Sequence, residues 1–317
     1  MSTADTGTRP RRTPGLVPVT ETMSTTPRLP DEPPAPPVPA APPSGRRAGA
    51  FWRLLGSELG LTFRRPRNLA VLAVLAVVPV IIGVSLRLVA GEEGVGGMIA
   101  DVAGNSLMLT FAAFSVLVLL LMPITVSVVA GDALAGEANG GTLRYLLAAP
   151  AGRTRLLAVK YLNAVVHAYA VTVVVALSAL ATGLALFPAG DVTLLSGTTI
   201  SMTEGLLRVA LAVGYVGAGM AALAAVALAI SAFTEVSIGA IAGTVVLVIA
   251  CHVLQAVPAL EPIQPYLLPT WFTGFDAVLR DPVDTGALGE GLLTFAAYIV
   301  MSLSIAWARF SGKDITS

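Results

Sequence analysis

A chain of 317 residues that is 55% hydrophobic and 12% charged, with a mean hydropathy of +0.82, carries too little charge to cover a soluble domain, where about a quarter charged residues is usual. Nineteen basic and nineteen acidic residues cancel, so the overall balance gives no ground for a nucleic-acid footprint or an acidic binding surface. One cysteine, Cys251, excludes an intramolecular disulfide framework and a cysteine-based metal cluster.

Residues 1–48 hold 12 of the 22 prolines and few large apolar residues. Such a segment cannot bury enough surface to offset its ordering entropy, and a disordered Pro-rich cytoplasmic tail is expected. It has no apolar core of the secretory-signal kind, so the first span is expected to direct insertion. The remaining residues, 49–317, read as a membrane domain. Within 50–68, Phe51, Leu54, Leu55, Leu59 and Phe63 recur at spacings of three and four, with Arg53, Ser57 and Glu58 on other faces. This predicts an amphipathic helix in the membrane surface, with Arg64, Arg65 and Arg67 toward anionic headgroups.

Six apolar stretches of about 18 to 25 residues are each long enough to cross a hydrocarbon core of roughly 30 Å. They lie near 69–90, 105–130, 161–187, 206–231, 237–258 and 288–308. The expected fold is an all-α integral membrane protein of six transmembrane helices. Pro79 and Pro123 fall inside spans and should kink them. Gly239-x-x-x-Gly243, and Gly217, Ala221, Ala225 and Ala229 at every fourth position, offer surfaces for close helix approach. With the N-terminus inside, ten basic residues beyond Arg47 fall on the inner side and three, Arg87, Arg208 and Arg280, on the outer. This bias places both termini in the cytoplasm of a multi-pass cell-membrane protein.

No phosphate-binding G-x-x-x-x-G-K-[ST], H-E-x-x-H or G-x-S-x-G motif is present. His167 and His252 read as packing or cavity-lining residues, and the spans have no evident acidic ion site near their middles. Glu204 and Arg208 are placed for a helix ion pair.

The inner segment 131–160 is the most informative. Span 2 runs on through "GDALAGE", and "NGG" at 139–141 breaks it. Thr142 can cap a short helix with Leu143, Leu146 and Leu147 on one face, ended by Pro150. That face needs a cover, and composition allows lipid or protein equally.

The string G-D-x-L-A-G-E-x-x-x-G-T-L-R-Y-L-L-A-x-P, followed by Arg153 and Lys160, resembles the cytoplasmic loop of type-2 permeases of ATP-binding-cassette exporters. The flanking "ELGLTFRRPRN", "LLPTWFTG" and "ARFSGKDIT" are similar too, and the resemblance runs from about residue 50 to 317. Ala151-Gly152 departs from the Val-Ser frequent in relatives. The resemblance implies a coupling helix that docks on a separate ATPase subunit, which holds ATP and Mg. No cofactor or enzymatic activity is expected in this chain. It further implies a second permease chain, identical or related, in a shared bilayer. Glu137, Gly141, Thr142, Leu146 and Pro150 would shape the loop. Arg144 and Arg153 would contact the ATPase or pair with Glu137. Residues 259–287, with Pro269 and Trp271, resemble short outer helices and would form an exit gate. Alternatives are a membrane scaffold recruiting a soluble partner through the same loop, and an ion-coupled secondary transporter.

Overall fold

The computed structural model describes residues 44–89, 105–141, 152–194 and 197–311. The expected tail up to residue 43 lies outside these, as does the expected loop helix with Thr142, Leu143, Arg144, Leu146, Leu147 and Pro150. The described helices are α1 (Ser44–Arg64), α2 (Pro66–Val89), α3 (Met108–Leu117), α4 (Leu121–Asn139), α5 (Arg153–Leu186), α6 (Met202–Phe233), α7 (Ser237–Gln255) and α8 (Thr285–Ser311). A two-residue hairpin, β1 (Val192–Thr193) with β2 (Thr199–Ile200), pairs Val192 with Ile200 before α6. Three 3-10 helices, Pro258–Tyr266, Leu268–Trp271 and Gly274–Leu279, fill the connection from α7 to α8.

Six helices among the described residues are long and apolar enough to cross a membrane: α2, α4, α5, α6, α7 and α8. This is the all-α membrane class expected from hydropathy. In α6, 78% of the most apolar window is buried, against 17% in α2 and in α7, so α6 is the axis around which α4, α5, α7 and α8 pack. Gly217, Ala221, Ala225 and Ala229 all lie on its buried surface, and a Cβ on Gly217 would collide with the Tyr169 ring. Gly239 and Gly243 differ: an added Cβ there would meet Thr234 Oγ1 at 3.4 Å and Ile230 Cγ2 at 3.5 Å, ordinary contacts that do not require glycine.

The second expected span, 105–130, is interrupted. Helix α3 stops at Leu117 and α4 begins at Leu121, with Leu120 at φ −145°, ψ −49°. Pro123 explains the break, because it has no N–H for the Leu119 carbonyl and its ring crowds that position. The carbonyl instead faces His252 Nε2 at 2.9 Å. Helix α4 then continues to Asn139, through "GDALAGE" and up to the glycines expected to end it.

Helix α1 also departs from expectation. It starts at Ser44, inside the stretch read as tail, and Pro66 separates it from α2 by restricting Arg65 and then opening the new helix. Contacts along α5 then advance in step: Glu58 with Lys160, Thr62 with Asn163, Phe63 with His167, Ala76 with Ser178, and Gly83 against Thr182. The separation stays near 100 residues throughout, so α1 and α2 both run beside α5 in its direction.

Two close approaches fix the core. The Ser231 hydroxyl, buried in α6, donates to the Gly131 carbonyl at 2.6 Å and accepts from the amides of Leu134 and Ala135 at 3.1 and 2.9 Å. It thereby stitches α6 to one turn of α4. At the other end, Gly183 packs so tightly on Ser106 that a Cβ would overlap the Ser106 carbonyl. Gly183→Ala should cost about 1–3 kcal/mol through overpacking and lower the melting temperature in detergent. Gly60→Ala, whose Cβ meets nothing within 4 Å, should leave it unchanged or raise it.

Candidate functional site at the charged end of the bundle

A stripe of polar residues at helical spacing builds this site. In α5, Lys160, Asn163 and His167 follow one another at three and four residues, each buried. Buried charges and amides are costly unless paired, and two of the three meet polar partners on α1. Lys160, whose side chain is 4% exposed, places Nζ 2.9 Å from Glu58 Oε1 and 3.0 Å from Glu137 Oε1. Asn163 Nδ2 donates to Thr62 Oγ1 at 2.9 Å, and the His167 ring stands against Phe63. The ammonium thus joins three elements: α1 through Glu58, α4 through Glu137, and its own α5.

Asp132 adds a second ionic joint. Asp132 and Glu137 are five residues apart, about 140° around a helix, so they diverge to different partners. Asp132 Oδ2 accepts from Arg65 at 3.0 Å and Arg67 at 3.1 Å, both from the α1–α2 joint. The two arginine side chains remain about half exposed, and Arg64 is exposed beside them. Asn68 donates to the Thr62 carbonyl at 2.9 Å, which closes the turn around Pro66. Glu58, Thr62, Asp132, Glu137, Lys160 and Asn163 line a polar cavity of about 410 Å³. Among the described residues the Asn68 Oδ1 in its wall has no hydrogen-bond partner, a position suited to water.

Asn139 and Gly140, at the end of α4, also line this cavity, next to the connection from α4 to α5. Both described ends of that loop are glycines in the left-handed region, Gly141 at φ 67° and Gly152 at φ 76°. Only glycine adopts that backbone freely, so the chain turns sharply away from one rod and sharply back into the next. Of the expected loop residues, Glu137 and Gly141 are therefore placed at the site. Glu137 pairs with Lys160, and the Arg153 side chain lies outside what the structure describes. The sequence reading missed Glu58 and Asp132 as partners. Glu58 had been set on another face, yet Leu55, Glu58 and Thr62 share a three-and-four spacing that belongs to the buried stripe.

At the opposite end, Arg208 on α6 is 5% exposed and holds the 3-10 segment. It donates to Glu204 at 2.8 Å, as expected, and also to the Val278 and Arg280 carbonyls at 3.0 and 2.8 Å. The prolines at 258, 262, 265 and 269 remove the amides that an α-helix would need, which accounts for short 3-10 turns here. Pro269 is buried, and Trp271 Nε1 donates to the Pro265 carbonyl at 2.8 Å. Burial pushes the Asp276 carboxyl above its usual range, against the opposing pull of Arg280. Among the described residues no group of three or more His, Cys, Asp or Glu is placed to hold a metal ion.

These features define a polytopic α-helical membrane protein with a polar, ion-paired joint at one end. Residues 96–316 match the family described as "Protein of unknown function (DUF2705)", and the chain belongs to that family. No match was found among curated proteins. The matched region includes the α4–α5 loop, both of its glycines and Lys160, but not Glu58 or the α1–α2 joint.

Lys160→Met should destabilise the protein by about 3 kcal/mol, the lower range for removing one partner of a buried ion pair, and lower the detergent melting temperature. Glu58→Gln in the Lys160→Met background should cost less than Glu58→Gln alone, and the double-mutant cycle measures that coupling. Additive losses would mean that the two side chains do not interact.

Proposed function

We propose that this chain is the permease subunit of an ATP-binding-cassette transporter, working as an exporter with a separate ATPase subunit. The observation that carries the reading is the mounting of the α4–α5 loop. Two long helices are pinned together at its base by the buried Lys160, and each described end of the loop is a left-handed glycine. Helices α4 and α5, pinned in this way, would move together under a push on the loop they carry. The resemblance of residues 131–160 to the coupling loop of such exporters supports the same reading, while the matched family's description is silent on function.

In this proposal α2, with 24 residues and about 36 Å of length, crosses the hydrocarbon from the Arg64, Arg65 and Arg67 level outward. Helix α5, with 34 residues and about 51 Å, exceeds the roughly 30 Å core and projects into the cytoplasm with α1 beside it. Leu143, Leu146 and Leu147 of the coupling helix seat in a cleft of the ATPase, and Arg144 and Arg153 contact its polar rim. Two ATPase subunits close on ATP and Mg under two permease chains. Closure favours one arrangement of the paired loops, and the rods carry it to the far side of the bilayer. Pro269 and Trp271 lie in the segment that would gate the exit. The energy comes from the tighter binding of ATP to the closed ATPase pair, since a ligand shifts an equilibrium only by its differential affinity.

A second reading, ion-coupled secondary transport, draws on one observation: span 2 is broken at residues 118–120 with an ionisable side chain on the freed carbonyl. Uptake driven by an ion gradient without ATP would favour it.

Leu146→Asp should abolish co-purification of a partner ATPase while membrane insertion is retained. Undiminished binding by that variant would remove the docking role.

A further inference from the structure

Helices α7 and α8 both pack on α6 and hardly at all on each other, so a cleft runs between them with α6 as its floor. The cleft holds two adjoining cavities. One, of about 290 Å³, reaches along α6 from Val226 to Phe233 and along α8 from Tyr298 to Ile305. The other, of about 80 Å³, lies deeper, where Cys251 of α7 meets Leu268 and Pro269 of the 3-10 segment. Val226, Leu247 and Tyr298 line both, which makes the two continuous. Their walls are almost wholly apolar, and the Tyr298 hydroxyl is turned away to the Tyr266 carbonyl at 2.7 Å.

The mouth of the cleft is at the charged end of the bundle. Phe233 closes α6 there, and Ser237, four residues on, lines the polar cavity together with Arg65 and Asp132. Over the exposed Phe233 ring stands the Arg309 guanidinium, 5.6 Å from the ring centroid. Stacking occupies the face of that group and leaves its in-plane N–H donors for an acceptor. Arg309 is exposed, and among the described residues none of the ion pairs includes it. From Arg309 back to Tyr298 is eleven residues of helix, about 16 Å, or about half of the hydrocarbon thickness.

We propose that this cleft binds one acyl chain of an anionic phospholipid, with the phosphate on Arg309 and the chain running past Leu247 to end on Leu268 and Pro269. A basic group at the interface above an apolar slot between helices is the chemistry that selects such a lipid. A helix of a second copy, about 10 Å across, would cover the mouth but cannot enter the inner cavity, whereas an acyl chain fits both. The bound lipid thereby joins the charged end to the segment between α7 and α8. The site rests on the membrane class of the fold and is independent of the ATPase reading.

The test uses phosphatidylglycerol carrying a photoactivatable diazirine near the end of one acyl chain, and phosphatidylcholine with the same chains. Each is added as a trace component to phosphatidylcholine liposomes that contain the full-length protein, and crosslinks are mapped by mass spectrometry. The glycerol lipid should label the inner wall at Cys251, Leu268 and Tyr298 about fivefold more than the choline lipid, the weight of one arginine at a membrane surface. Arg309→Gln should bring the two lipids level without changing the melting temperature. Leu247→Trp, at a half-exposed position shared by the two cavities, should end inner-wall labelling by both lipids. Equal labelling of the wild-type protein by the two lipids would mean ordinary boundary lipid only and overturn the proposal. It would equally be overturned by inner-wall labelling undiminished in Leu247→Trp, or by no labelling from either lipid, which would mean that protein covers the cleft.

Discussion

One ammonium group holds the charged end of this molecule together. Lys160 is almost fully withdrawn from solvent, and a lone charge in that position would be too costly to keep. Glu58 and Glu137 make it tolerable, and in doing so they fix where α1 and α4 end relative to α5. The pairing does not have to be stronger than an apolar contact of the same size to matter, since buried ion pairs often contribute little net stability. Its effect is on register. Any slide of α1 along α5 by one turn would separate Glu58 from Lys160 and Thr62 from Asn163 together.

From that joint the rest of the bundle follows. The α1–α2 rod stays in step with α5 as far as Gly83, and Ser231 ties α6 to the turn of α4 that contains Asp132. Helix α6, lined with alanine and glycine, then brings α4, α5 and α8 close around itself. The opposite end is built differently. Hydrogen bonds from Arg208 and those of Thr270 with Gln255 and Gln264 hold a proline-interrupted segment with few regular amides. One end is therefore an ionic joint between long rods, and the other is a cap on directional polar bonds.

Hydropathy revealed the number of spanning helices because each is a long apolar run, and lipid exposure demands such runs. It concealed the break in span 2, since residues 105–130 are apolar whether the helix is continuous or not. The break depends on a single missing N–H at Pro123 and on a partner for Leu119, His252, which is distant in sequence. The Lys160 joint was partly legible. Lys160, Asn163 and His167 repeat at helical spacing within an apolar helix, which marks a buried polar stripe. Glu58 was misplaced because it was scored as a charge to be solvated, although its position falls on the same face as Leu55 and Thr62. The face of α1 that carries Glu58 and Thr62 is turned toward α5.

If Lys160 locks α1 to the start of α5, the two move as one rigid unit when the proposed ATPase acts on the loop. Spin labels at Gly56 and Ala158, both exposed on adjacent helices, measure this directly by pulsed electron resonance once Cys251 is replaced. With the ATPase bound, adding ATP should leave the distance distribution of this pair narrow and unshifted, while either label moves relative to one in the 3-10 segment. A shift of several ångströms within the pair itself would contradict the account.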